Sequence, residues 1–135
     1  MLKIKKYAAI DIGSNAIRLL ISNIIIDKDK EPQFKKSSLV RVPIRLGANA
    51  FVSGTISPEN IDRMIDAMNA FKLLMAVHGV EKYKACATSA MREASNGVEI
   101  VKIIKEKTNI DIDVIDGKKE AAIIFSTDLS ELIEN

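Results

Sequence analysis

Tryptophan is absent from this chain, and aromatic residues make up only 4% of it. There is no stacking platform of the kind that single-stranded nucleic acids need. Charge of one sign is also lacking: 20 basic residues stand against 18 acidic ones, a formal net charge of +2. That balance argues against a dedicated nucleic-acid binder, which concentrates basic residues on one face. A single cysteine, Cys86, excludes an internal disulfide. It sits in an apolar run and reads as a small core residue, so a reducing, cytoplasmic setting is expected. The one histidine, His78, lies where a helix ends and a cation suits the dipole. Nothing in the sequence pairs with it, and no catalytic or metal role is expected of it. No apolar stretch is long enough to span a bilayer, so no membrane partner is expected. Lys3, Lys5 and Lys6 precede apolar residues in the manner of a signal peptide. Asp11 and Arg18 interrupt that stretch too soon, and no small-residue cleavage site follows.

What is present suits one domain. The chain has 135 residues, 47% of them hydrophobic, enough to bury roughly two-thirds of the unfolded surface. Three strands are expected first, over 7–12, 16–27 and 34–46. The second is apolar on both faces and so central or well covered. The third carries Pro43, which suits a bend or an edge. Residues 47–54 read as a loop. A long helix follows, with Ser57 as N-cap, Pro58 at its first position and Glu59 at the positive dipole end. Ile61, Met64, Ile65, Met68, Phe71 and Met75 form one apolar face, and Gly79 ends it. The methionine stripe reads as core. A fourth strand is expected over 80–88, a short turn through Ser89 and Arg92, and a second helix from Asn96 or Gly97 to Lys107. A fifth strand over 110–115 alternates Asp111 and Asp113 with apolar residues, so both acids read as solvated. A third helix is expected from near Gly117 towards Leu132. The order βββ-α-β-α-β-α implies an α/β domain, a mixed sheet with helices packed on it.

Three strand-to-turn junctions carry chemistry. In Ala9-Ile10-Asp11-Ile12-Gly13-Ser14-Asn15 an apolar strand runs into an acid and turns on small polar residues. Gly13 permits a tight or left-handed backbone, and the N–H groups around Ser14 and Asn15 can converge on an anion. Asp11 is placed to reach a metal ion or a water beside it. An ordinary hairpin turn uses the same residues, and the local pattern leaves both readings open. In Ala87-Thr88-Ser89-Ala90-Met91-Arg92 a strand opens into a helix. Thr88 and Ser89 offer hydroxyls, and Arg92 offers a forked guanidinium for phosphate. Taken alone, the segment is better accounted for by a capped helix start with a surface arginine, since Ser and Thr are common caps. In Ile115-Asp116-Gly117-Lys118-Lys119-Glu120 the acid falls in a first helical turn. Glu120 there is either dipole-stabilised or a base that orients water.

Taken together with Arg45-Leu46-Gly47 and the run to Asn96-Gly97, these segments resemble the exopolyphosphatase/guanosine pentaphosphate phosphatase family, over nearly the whole chain. The first motif is shared loosely with the wider actin, heat-shock-protein-70 and sugar-kinase superfamily. The Thr88 to Gly97 run is the more specific one. The resemblance implies a ribonuclease-H-like, actin-like domain over 1–125 and a tail, 126–135, leading to a second domain. It implies magnesium-dependent removal of terminal phosphate from polyphosphate or guanosine pentaphosphate. By the same resemblance Asp11 falls to the metal. Gly13, Ser14, Asn15, Thr88, Ser89 and Arg92 fall to substrate phosphate, and Glu120 to the attacking water.

The sequence departs from the family pattern in two places. Lys119 stands beside Glu120 where a second acid is usual, and Ala122 replaces an arginine. The glycine-rich acidic loop that opens the family's second domain does not occur in these residues. The expectation is one lip of a cleft, folded but with little hydrolase activity alone, its bared surface able to drive self-association into a homodimer. A non-hydrolytic phosphate-binding or regulatory module is the alternative from another class. Half of an actin-like ATPase or kinase is a third, disfavoured by the Thr88 to Gly97 run.

Overall fold

A computed structural model describes residues 2–115. The sheet begins with β1 (Leu2–Ile12), β2 (Ala16–Asp27) and β3 (Gln33–Pro43). Short turns join them, so they pair antiparallel. Two helices then carry the chain across the sheet: α1 (Leu46–Val52) and α2 (Pro58–His78). The chain returns as β4 (Lys82–Ala87), which pairs parallel to β1. Next come α3 (Ser89–Glu93), α4 (Gly97–Thr108) and β5 (Ile112–Val114), parallel to β4. The sheet order is β3-β2-β1-β4-β5. The strand rich in apolar residues on both faces, β2, is interior, and the one ending in Pro43 is the edge.

Burial follows the two-residue period of the strands. Ala8, Ile10 and Ile12 of β1 point to one face, beside Ile17, Leu19 and Ile21 of β2. There they meet Met64, Met68, Phe71 and Met75 of α2 and Ile100 and Ile104 of α4 in one apolar cluster. The methionine stripe is core. Tyr7 and Ala9 point the other way, into small clusters with Ile24 and with Cys86. Strand β1 is therefore buried on both sides from Tyr7 to Ile12, which is why it reads as an apolar run interrupted only by Asp11. Full burial of a residue such as Ile10 is worth about 1.5–3 kcal/mol.

Helix α2 is delimited as its residues dictate. The Ser57 hydroxyl accepts from the Asn60 amide at 3.3 Å, Pro58 opens the helix, and Gly79 closes it at φ 75°. Asp111 and Asp113 are exposed, and Asp111 pairs with Lys105 at 3.0 Å.

The loop expected over 47–54 is largely α1, and the third strand stops at Pro43 rather than 46. Helix α1 is only seven residues long, and Arg45 at its N-cap makes no side-chain cap bond. Nothing local announces it. It is held by burial of Leu46, Gly47 and Ala50 and by the Gly47 amide donating to the Ser14 carbonyl at 2.8 Å. The expected turn through Ser89 and Arg92 is likewise a helix, α3. Strand β1 starts five residues earlier than its buried core suggests, because residues 2–6, largely exposed and mostly lysine, continue the ladder with β2. The expected third helix lies outside the described residues.

Candidate functional site

The strand ends that lead into the three junctions lie along one edge of the sheet. Ile12, Ala87 and Val114 end the parallel strands β1, β4 and β5, and the register sets them side by side: Ile12 opposite Ala87, Ala87 opposite Val114. The Thr88 amide donates to the Ile12 carbonyl at 3.2 Å, and the Ile115 amide donates to Ala87 at 2.8 Å. With strands about 4.8 Å apart, the row spans about 10 Å. In an α/β sheet the carboxyl ends of parallel strands are where ligands bind.

At the first junction the Gly13 amide donates to the Ala16 carbonyl at 3.0 Å, closing the turn. Gly13 is not left-handed: among the described residues positive φ occurs at Asn109, Gly54 and Gly79. Its glycine is explained by crowding instead, since a Cβ there would lie 3.2 Å from the Ala16 carbonyl oxygen. The turn borders a cleft of about 230 Å³ lined by Asp11, Gly13, Asn15, Ala16, Arg18 and Arg41. Asn15 is exposed, while Ser14 is half-buried with its carbonyl taken by Gly47.

Asp11 is 4% exposed. Its Oδ2 accepts from Arg18 Nε at 3.2 Å and Nη2 at 2.5 Å. Its Oδ1 is buried and has no hydrogen-bond partner among the described residues. An orphaned carboxylate oxygen is costly in a protein interior unless something cationic or hydrogen-donating reaches it. Among the described residues no three His, Cys, Asp or Glu side chains cluster as a metal site. That still suits magnesium, which keeps several waters and takes one or two carboxylates together with substrate phosphate. Asp11 Oδ1 is the oxygen that fits it.

Arg18 and Arg41 face each other across β2 and β3 and both line the cleft. Sequence reasoning did not single them out. The hairpin symmetry about residues 14 and 15 could have found Arg18, because it pairs position 11 with position 18. Arg41 had no such signal, since its approach depends on the register of β3 past a bulge between Ile21 and Ser22.

At the second junction Thr88 is 7% exposed and precedes α3 without a side-chain cap bond, so capping does not account for its hydroxyl. Ser89 is half-buried at the start of α3. Arg92 reaches along the row: its Nη1 donates to the Ile115 carbonyl at 3.1 Å, and its Nε lies 3.6 Å from Glu93. It stands over Ile115 rather than among the residues lining the Asp11 cleft. Asn96 and Gly97, part of the specific run, do structural work. The Asn96 side chain clamps the backbone of Ile56 instead of capping α4, and Gly97 packs under the Met91 carbonyl. Glu120 lies outside the described residues.

Comparison with known proteins places this geometry. A family model described as the Ppx/GppA phosphatase family matches residues 25–135. The crystal structure of the Aquifex aeolicus Ppx/GppA family member superposes with a TM-score of 0.78 at 27% identity, covering 93% of this chain and 41% of that one. Exopolyphosphatase 1 of Mycobacterium bovis is 24% identical over 120 residues, 89% of this chain and 34% of that protein. Guanosine-5'-triphosphate,3'-diphosphate pyrophosphatase of Aliivibrio fischeri is 31% identical over 123 residues, 88% of this chain and 23% of that protein. The chain thus spans about a third or less of the length of these curated relatives. The mixed sheet with crossover helices is the ribonuclease-H-like, actin-like α/β fold, as the resemblance implied. By sequence match and by architecture, this chain belongs to the Ppx/GppA phosphatase family.

Proposed function

We propose that the chain is the phosphate-holding lobe of a magnesium-dependent phosphohydrolase acting on the terminal phosphoanhydride bond of polyphosphate or guanosine pentaphosphate. The observation that supports this reading is the row of strand ends Ile12, Ala87 and Val114, from which the three junctions set out along one rim. The relatives named exopolyphosphatase and guanosine pentaphosphate pyrophosphatase supply the reaction class.

Transfer of a phosphoryl group to water asks little covalent chemistry of a protein; positioning and charge neutralisation dominate. The amides around Ser14 and Asn15 and the hydroxyls of Thr88 and Ser89 hold phosphate oxygens. Arg92 offsets charge on the oxygens that gain it in the transition state. Arg18 and Arg41 add a cationic wall beside the turn. Asp11 keeps one oxygen on Arg18 and offers the other to magnesium, which when bound neutralises part of the phosphate charge. Glu120 orients the attacking water and accepts its proton.

An open rim of about 10 Å exposes phosphate to bulk water on one side. A second lobe, drawn from the length the relatives have beyond this match, closes the site. The chain alone therefore binds phosphate chains but releases little phosphate. Two measurements test the reading. Titration calorimetry of this chain with tripolyphosphate, with and without magnesium, should show magnesium-assisted binding. Glu120→Gln in a protein joining this chain to the second lobe should abolish turnover and leave polyphosphate affinity in place. A wild-type chain that retains no tripolyphosphate, or a Glu120→Gln enzyme of undiminished rate, would refute it.

A further inference from the structure

We infer that Asn96 is a positioning residue, one end of a hydrogen-bonded strut that sets the distance between the phosphate turn at Ser14 and the arginine at position 92. The inference rests on the phosphate-binding reading above and goes beyond it, because Asn96 lies past the Arg92 end of the second junction and does not line the Asp11 cleft.

The strut can be followed bond by bond. Its first link is the Gly47 amide on the Ser14 carbonyl at 2.8 Å, which fixes α1 to the turn. Within α1, Asn49 grips the loop that follows. Its carbonyl accepts from the amides of Ser53 at 2.9 Å and Gly54 at 3.1 Å. Its side-chain Oδ1 accepts from the Ser57 amide at 3.1 Å and from Asn60 Nδ2 at 2.7 Å. The far side of that loop is held by the segment after α3. Gly54 accepts from the Ser95 amide at 2.8 Å. The Ile56 amide donates to Asn96 Oδ1 at 3.0 Å, and Asn96 Nδ2 donates back to the Ile56 carbonyl at 3.0 Å. A primary amide is the group that satisfies a backbone N–H and C=O at once. Ile56 is 2% exposed, so both of its polar groups would otherwise be stranded away from water.

The two phosphate-holding segments are therefore joined by β-sheet pairing at one end, Thr88 to Ile12, and by this loop at the other. Releasing the loop end removes the support on the C-terminal side of α3; its buried Ala90 and Met91 still hold it to the core, and Arg92, exposed at its last turn, shifts. An angular error at a charge-assisted contact costs affinity even where every contacting residue is present.

The test is a double-mutant cycle on tripolyphosphate binding by this chain, with circular dichroism to confirm folding. Asn96→Ala should weaken binding about tenfold, the scale of one mis-set hydrogen bond to a charged group. In an Arg92→Ala background the same change should have no further effect, because Asn96 acts through Arg92. Asn49→Ala breaks the strut at its other end, away from α3. It should show the same loss and the same dependence on Arg92, and it serves alone if Asn96→Ala does not fold. Losses that simply add to that of Arg92→Ala, or affinities unchanged in both variants, overturn the positioning role while leaving the phosphate reading intact. Absence of binding by the wild-type chain overturns the phosphate reading itself, and the positioning role with it.

Discussion

Gly97→Ala separates two physical arguments that disagree in sign. Gly97 opens α4 without a positive φ, so helix propensity alone says that alanine should stabilise the chain by about 1 kcal/mol. Packing says the opposite. A Cβ at this position would lie 2.0 Å from the Met91 carbonyl oxygen and 3.1 Å from its carbon. The obstacle is backbone, so no side-chain rotamer relieves it, and α3 or the start of α4 has to shift. Overpacking at a rigid site costs about 1–3 kcal/mol, and this contact belongs at the upper end. The steric term wins, leaving a net loss of about 2 kcal/mol. For a domain of this size that lowers the melting temperature by roughly 6–10 °C. Thermal melts followed by circular dichroism measure it, with Val98→Ala as a control, since Val98 is 71% exposed and should change little. A Gly97→Ala chain as stable as wild type, or more stable, would refute the packing argument. It would mean that α3 and α4 are less tightly closed than the geometry states.

Three further outcomes are expected. Phe71→Ala removes a fully buried ring from the cluster joining α2 to the sheet; it should cost about 3–5 kcal/mol in urea unfolding with the denaturant slope unchanged. Arg41→Ala should weaken tripolyphosphate binding severalfold at low salt. The difference should shrink towards about 0.5 M salt as screening takes over, and a salt-independent effect would count against direct charge attraction. Asp11→Asn keeps the side chain's shape but neutralises the carboxylate that Arg18 holds. Titration with and without magnesium should show that the metal no longer improves phosphate binding; an undiminished magnesium effect would remove Asp11 as the metal's residue.

Much of this protein was legible in its residues because the controlling interactions are local. The Ser57-Pro58 start, the methionine and phenylalanine spacing and the Gly79 stop define α2 without reference to anything else. The apolar runs of β1 and β2 announce interior strands, and a three-residue turn between them permits only an antiparallel pair. The exposed alternation of Asp111 and Asp113 was equally local. The three junctions could be recognised as candidate phosphate holders from their residue types, though an ordinary turn and a capped helix explained the same letters.

Other features could be decided only by contacts distant in the chain. Helix α1 has no side-chain N-cap bond and too few residues to stand alone; it exists because Leu46 and Ala50 are buried and Gly47 reaches Ser14. Asn96 and Gly97 start a helix as expected, but the Asn96 side chain serves the backbone of Ile56, 40 residues away, and the lack of one at Gly97 makes room for the Met91 carbonyl. Arg41 became a wall of the Asp11 cleft through strand register across a bulge, which no local pattern encodes. The side-chain alphabet and its spacing thus determined which segments were helix or strand and which could meet an anion. Where those segments lie relative to one another was settled by cross-strand pairing and by the burial of apolar faces, since these act between residues that the linear order keeps apart.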